Sequence, residues 1–241
     1  MNRDKGIVIS NLTKKFGQKT AVDNISLEIK DGELFALLGI NGAGKTTTIK
    51  MLTALSIPTS GDAILNGYSV ADSPDKVKEI VNVSPQETAV AGNLTVKENL
   101  EFIAGVYGIR DRSRIGDIIS EFKFDEILNQ KAKTLSGGWQ RRLSIAMALI
   151  SDPEILFLDE PTLGLDVIAR RELWKIIKSL KGHKTIILTT HYMEEAEALA
   201  DNIAIMKSGN IIASGSAAEL MEQAGTDSFE DAFIRLVGGE L

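Results

Sequence analysis

A glycine-rich turn joins two segments of different texture, and it limits the folds open to this chain more than any other feature. Phe35-Ala36-Leu37-Leu38 is a continuous apolar run, as expected of a strand buried on both faces. It passes directly into Gly39-Ile40-Asn41-Gly42-Ala43-Gly44-Lys45-Thr46, and residues 47–55 then follow a helical pattern. Strand, glycine loop and helix in that order predict an α/β fold in which the loop lies at the end of a buried strand.

The spacing Gly39-x-x-x-x-Gly44-Lys45-Thr46 meets the P-loop pattern in its required context. Glycines permit backbone conformations and close approaches that a Cβ forbids. The N–H groups of the loop and of the helix start then form a nest for phosphate oxygens. The whole segment, Gly39, Ile40, Asn41, Gly42, Ala43, Gly44, Lys45, Thr46 and Thr47, is therefore a candidate ATP-binding site. Lys45 supplies a point charge for the β- and γ-phosphates, and the Thr46 hydroxyl is placed to ligate Mg²⁺. A glycine-rich turn that binds nothing is the bland alternative, and strand, spacing and helix together argue against it.

The rest of the chain reads as one α/β unit with a helical insertion. Residues 7–9 and 21–29 are short apolar or alternating runs typical of strands, and 58–61 reads as a turn before a strand at 63–65. From about residue 88 to 150 the pattern becomes helical, opening with the capping-box sequence Thr95-Val96-Lys97-Glu98. Strands are expected again at 155–158 and 185–188, helices near 169–180 and 193–200, and a hairpin through Ser208-Gly209. Ser216-x-x-Glu219 is a second capping box. The acidic stretch Met193-Glu194-Glu195-Ala196-Glu197 reads most simply as a solvated helix face. A core at 1–87 and 151–241 with a lobe at 88–150 accounts for all of it as a single domain.

Composition narrows the function classes. With 241 residues, 44% of them hydrophobic, the chain can bury a sizeable core. The absence of cysteine excludes a disulfide framework, thiol catalysis and any cysteine-ligated metal. A net charge of −6 gives no bulk attraction to a nucleic-acid backbone, and no nucleic-acid partner is expected. The polar start Met1-Asn2-Arg3-Asp4-Lys5-Gly6 does not resemble a signal peptide, and no run approaches the ~18 apolar residues of a membrane span.

A second acidic motif complements the glycine loop. Ile155-Leu156-Phe157-Leu158-Asp159-Glu160 is an apolar strand ending in two carboxylates, at the strand end where parallel sheets bind ligands. Asp159 is placed to hold Mg²⁺, and Glu160 to orient and deprotonate an attacking water.

Leu135-Ser136-Gly137-Gly138-Trp139-Gln140-Arg141-Arg142 resembles the signature motif of ABC ATPases. The order of motifs matches that family too: P-loop, Gln86, signature, Asp159-Glu160, the segment to Asp166, then His191. The resemblance implies a P-loop NTPase core of ABC type, a mixed sheet with an antiparallel β part, carrying an inserted α-helical lobe. It also implies two chains meeting head-to-tail around two Mg²⁺–ATP, with Ser136, Gly137 and Gly138 at a helix start facing the partner's γ-phosphate. By position, Phe16 matches the aromatic that stacks on adenine and Gln86 the residue that reaches Mg²⁺ and the attacking water. Asp166 matches the residue that communicates across the dimer, and His191 the switch histidine at the γ-phosphate. Glu160, His191 and Lys45 form the implied catalytic set, and Thr46, Gln86 and Asp159 the metal set. Trp139 departs from the family's usual glutamine and has two open roles, packing within the lobe or touching the dimer seam.

The resemblance further implies an ATPase subunit on the cytoplasmic face of a membrane, docked on a separate integral permease through the lobe beyond Gln86. It pairs with a second copy or with a related ATPase subunit. Residues 160–166, the run Arg170-Arg171-Glu172-Leu173-Trp174 and the tail Phe229-Glu230-Asp231-Ala232-Phe233 look most like exporters of the drug-resistance and sodium-efflux kind. Two alternatives stay open: a soluble ABC ATPase working on ribosomes or nucleic acid, and a regulatory ATP-binding subunit with little turnover.

Overall fold

The computed structural model describes residues 6–238, so the polar segment at 1–5 lies outside the described residues. The chain opens with strands β1 (Gly6–Phe16), β2 (Lys19–Lys30) and β3 (Leu34–Leu38), then helix α1 (Lys45–Leu52). Strands β4 (Ser60–Leu65) and β5 (Tyr68–Ser69) follow, then α2 (Pro74–Ile80) and β6 (Val81–Ser84). Next come three helices, α3 (Val96–Val106), α4 (Arg112–Phe122) and α5 (Gly137–Leu149). The remainder alternates β7 (Ile155–Asp159), α6 (Val167–Leu180), β8 (Thr185–Thr190), α7 (Met193–Leu199), β9 (Asn202–Lys207) and β10 (Asn210–Gly215), ending in α8 (Ala217–Ala224) and α9 (Phe229–Leu236).

Two sheets organise these elements. The first is antiparallel in the order β2-β1-β4-β5, and the second runs β10-β9-β3-β8-β7-β6. In the second, β9, β3, β8, β7 and β6 are parallel, and only β10 is antiparallel, folding back on β9. Every residue of β3, β7 and β8 is buried, which is why these strands read as continuous apolar runs.

Side chains alternate across the pleat and feed two cores. Leu34, Ala36, Leu38, Leu156, Leu158, Ile186 and Leu188 pack toward the helices of the lobe and α6. Phe35, Leu37, Ile155, Phe157 and Ile187 pack toward α1 and the antiparallel sheet. Register then fixes the geometry that matters. Leu38 pairs with Thr190, Asp159 with Thr189, and Ser84 with Leu158, so the C-terminal ends of β3, β8, β7 and β6 share one edge.

Local chemistry explains most boundaries. Both capping boxes form, with Thr95 and Glu98 bonding reciprocally at the start of α3, and Ser216 and Glu219 doing so at α8. Asp166 caps α6, its Oδ1 accepting from the N–H groups of Ile168 and Ala169, each at 2.9 Å, so that helix starts earlier than its apolar pattern suggests.

Two expectations need correction, and one helix carries no sequence signal. Gly61 lies inside β4, not in a turn. There β1 bulges, and a Cβ on Gly61 would sit 2.2 Å from the Asn11 carbonyl oxygen, so the glycine permits a close strand approach. Helix α2 is the one without a signal: only Val77 of its residues is buried, which leaves no apolar repeat to read. Glu195 is fully buried, unlike its exposed neighbours Glu194 and Glu197, so the acidic stretch is not wholly a solvated face.

Candidate functional site

The shared strand edge gathers the motifs into one place. The glycine loop leaves β3, Pro85-Gln86 leaves β6, Asp159-Glu160 ends β7, and His191 follows β8. Beside them lies a cavity of about 540 Å³ lined by residues 41–47, Gln86, Glu160, the Lys19-Thr20-Ala21 segment and the Ser208-Gly209 turn. A cavity of similar volume at the opposite ends of the strands holds none of the motif residues, so volume alone does not mark the site.

The loop is shaped by its backbone. Gly44, which precedes α1, has φ +108°, and a Cβ there would approach the Ala21 carbonyl oxygen to 2.6 Å. Lys45 is buried; its Nζ donates to the carbonyls of Gly39 at 2.7 Å and Ile40 at 3.4 Å and lies 3.3 Å from Glu160 Oε1. The other carboxylate oxygen of Glu160 lies 2.5 Å from His191 Nδ1. Glu160 thus bridges the P-loop lysine and the histidine beyond β8.

Glu160 also holds an unusual backbone conformation, φ +50°, which is costly for a residue with a Cβ. Thr189 holds it there, with the Glu160 N–H donating to the Thr189 carbonyl at 3.1 Å and to its hydroxyl at 3.0 Å. The same hydroxyl donates to Asp159 Oδ1 at 2.5 Å, and Thr46 Oγ1 donates to that oxygen at 3.1 Å. Thr46 and Asp159 therefore present a hydroxyl and a carboxylate side by side next to the cavity. That hard-oxygen pair fits Mg²⁺, which keeps most of its waters and phosphate ligands and needs only one or two protein oxygens.

Other sequence-derived residues lie apart. The Phe16 ring, at the end of β1, is exposed, does not line the cavity and has the Lys14 ammonium 5.1 Å from its centroid. Ser136, Gly137 and Gly138 form the start of α5, also away from the cavity, and Ser136 makes no side-chain cap. Trp139 packs within the lobe: its ring centroid is 6.1 Å from that of Phe124, and the Arg142 guanidinium stacks on it at 4.5 Å. Arg142 in turn pairs with Glu172 of α6.

Arg141, Thr189 and Glu195 belong to the site but were not singled out from sequence. Arg141 is buried, and all its hydrogen bonds go to backbone carbonyls at the strand ends: Asp159 at 2.6 Å, Pro161 at 2.8 Å, Pro85 at 2.5 Å and Gln86 at 3.3 Å. Burial lowers its pKa to about 10, against the opposing pull of Asp159, Glu195 and Glu160. No local signal marks it: residues 141–149 are buried throughout, and that burial shows only once the helix is packed. Glu195 accepts from the Trp174 indole N–H at 3.0 Å, and burial pushes its carboxyl pKa up.

The family model described as "ABC transporter" matches residues 22–163, which include the glycine loop, Gln86, the signature segment and Asp159-Glu160. The chain belongs to the ABC transporter family. Among ABC proteins it is 42% identical over 241 residues to the probable multidrug ABC transporter ATP-binding protein YbhF of Escherichia coli, covering 96% of this chain and 41% of that protein. It thus spans about two fifths of that relative's length. It is 37% identical to the doxorubicin resistance ATP-binding protein DrrA of Mycobacterium tuberculosis, covering 100% of this chain and 73% of that one.

Solved ABC structures agree in fold. An ATP-binding subunit of an ABC transporter superposes with a TM-score of 0.85 at 28% identity, covering 97% of this chain and 100% of that one. A dimeric ATP-binding cassette in a post-hydrolysis state, bound to ADP and Pi, gives 0.77 at 27% identity over 87% and 98%.

Proposed function

We propose that this chain is an ATP-hydrolysing nucleotide-binding subunit that pairs head-to-tail with a second such chain around two Mg²⁺–ATP and drives a separate integral membrane permease. One observation carries the proposal: Lys45, the Thr46–Asp159 pair and the Glu160–His191 pair converge beside a single P-loop cavity. The whole chain acts as one ABC ATPase domain, with its core at 1–87 and 151–241 and its lobe at 88–150. Its place is the cytoplasmic face of the membrane, held there by the permease; among the described residues no helix is long and apolar enough to cross a bilayer. The names of its relatives, one a probable multidrug transporter protein and one a doxorubicin resistance protein, support export as the direction.

The geometry suggests how the residues divide the work. Nucleotide phosphates occupy the nest formed by residues 39–47, and the exposed Phe16 ring, outside the cavity lining, is free to stack on the base. Thr46, Asp159 and Gln86 would hold Mg²⁺, which when bound would supply positive charge to offset that of the phosphates. Lys45 now pairs with Glu160 and two loop carbonyls, and an arriving γ-phosphate competes for its charge. That competition frees Glu160 Oε1 to accept a proton from water. The water oxygen attacks the γ-phosphorus, the bond to the β–γ bridging oxygen breaks, and ADP and inorganic phosphate leave. His191 keeps Glu160 oriented and stabilises developing charge. Ser136, Gly137 and Gly138 close over the γ-phosphate in the partner chain, and Asp166 lies at the seam.

Phosphate release from Mg²⁺–ATP by the purified chain tests the ATPase, and a gentle pull-down from detergent-solubilised native cells tests the permease. Recovery of a multi-span membrane protein is expected. Recovery with ribosomes or nucleic acid and no membrane partner would overturn transport while leaving the ATPase intact.

A further inference from the structure

Arg141 lies outside every role assigned so far, yet two loops of the site, the one after β6 and the one at the end of β7, meet on its guanidinium. The arginine projects from the first turns of α5, the helix whose start carries Ser136, Gly137 and Gly138. Its planar fork reaches Pro85 and Gln86 beyond β6, Asp159 at the last position of β7, and Pro161 just after it. Strand pairing stops at Ser84↔Leu158 and Asp159↔Thr189, so the ladder offers the carbonyls of residues 85, 86 and 161 no further donors. The side chain is 3% exposed, and among the described residues it forms no ion pair within salt-bridge distance. Its direct contacts fix main-chain positions, while the carboxylates of Asp159, Glu195 and Glu160 act on it only through space. A guanidinium does this because its donors point in set directions from one plane, which a single ammonium cannot match.

We propose that Arg141 is a positioning residue that locks Gln86 and the Asp159-Glu160 pair to the signature helix. In the sandwich proposed above, on which this inference rests, the start of α5 engages the nucleotide of the opposite chain. Any shift of α5 then moves the Arg141 fork, and with it the backbone that sets Gln86 and Glu160 in its own chain. The residue ties the closing of one site to the alignment of the other, and it acts through the backbone without touching nucleotide.

The test uses the full-length chain with Arg141→Lys and Arg141→Gln, each also in a Gln86→Ala background. Steady-state kinetics with Mg²⁺–ATP, affinity for a fluorescent ATP analogue and thermal melting are measured for all of them. Misplacing reacting groups by about 1 Å costs on the order of 100-fold in rate, so kcat is expected to fall by that order while KM and analogue affinity stay within about threefold. Lysine keeps the charge but loses the fork, so it is expected to restore melting temperature more than kcat. In the Gln86→Ala background either substitution should cost at least about fivefold less in kcat than in the parent, because part of its effect runs through Gln86. Equal losses in both backgrounds, KM rising in step with the fall in kcat, or full rescue of kcat by lysine would overturn the proposal. So would failure of both variants to fold, which would make the guanidinium an anchor of the fold alone. A parent chain that releases no phosphate refutes the ATPase itself, whereas a working parent with unimpaired Arg141 variants refutes only this inference.

Discussion

Replacing Thr189 by valine removes one hydroxyl from the centre of the site and little else. The side chain is fully buried on β8, and valine keeps its shape and its preference for strands. Two interactions disappear. The hydroxyl's bond to Asp159 Oδ1, at 2.5 Å, goes to a carboxylate oxygen and is worth about 1.5–3 kcal/mol net. The bond it accepts from the Glu160 N–H is one branch of a shared contact, because the Thr189 carbonyl accepts from the same group at 3.1 Å, and its loss costs about 0.5 kcal/mol. Asp159 keeps the Thr46 hydroxyl, so its carboxylate is not orphaned. The sum is about 2–3.5 kcal/mol, and at about 2–4 °C per kcal/mol for a chain of this size the melting temperature should drop by about 4–14 °C. Turnover should fall as well, since the hydroxyl holds Glu160 in its positive-φ conformation. Calorimetry with a urea titration measures the first effect, with the urea slope unchanged. A variant melting within about 1 °C of the parent would mean that these bonds contribute nothing net to the fold, against the usual value of a charge-assisted bond.

Three further outcomes follow from the same geometry. Glu195→Gln keeps an acceptor for Trp174 but cannot ionise; because burial raises the native pKa of Glu195, its contribution to stability is present below the unfolded glutamate value of about 4.3 and lost as pH rises through the higher native value. The variant should therefore melt above the parent at pH 8 and near it at pH 4, and a constant difference across that range would contradict the assignment. Lys45→Ala removes a buried ammonium from the nest and frees Glu160 from its ion pair; ATP affinity, measured by equilibrium dialysis, should fall at least about tenfold for the loss of a charge-assisted phosphate contact. Trp139→Ala strips a half-buried ring from Phe124 and Arg142 and should cost about 2 kcal/mol by urea denaturation, roughly half the value for a fully buried tryptophan; a cost below about 0.5 kcal/mol would place the ring outside the lobe's packing.

How far the sequence reaches depends on whether a signal is local. The buried strands β3, β7 and β8 were legible because both faces are covered, which leaves an unbroken apolar run. Thr95 with Glu98 and Ser216 with Glu219 were legible because a capping box spans four residues. The glycine loop was legible for the same reason. Gly61 was not, because what it accommodates is the Asn11 carbonyl of a neighbouring strand, fifty residues away in sequence. Arg141, Thr189 and Glu195 were missed for a related reason. A buried charge or hydroxyl looks like a surface residue until tertiary packing supplies its partners, and those partners come from other loops. Motif spacing found the residues that face the ligand; the ones that hold them in place became visible only in three dimensions.

Glu160→Gln is the most direct test of the hydrolytic mechanism. Glutamine keeps the size and the polar contacts of the side chain but cannot accept the proton of the attacking water. With Mg²⁺–ATP, the purified variant should bind nucleotide as the parent does, persist as an ATP-bound dimer in light scattering, and hydrolyse about 10²–10⁴-fold more slowly. Hydrolysis at the parental rate would show that Glu160 is not the base and that the Lys45–Glu160–His191 arrangement serves another purpose.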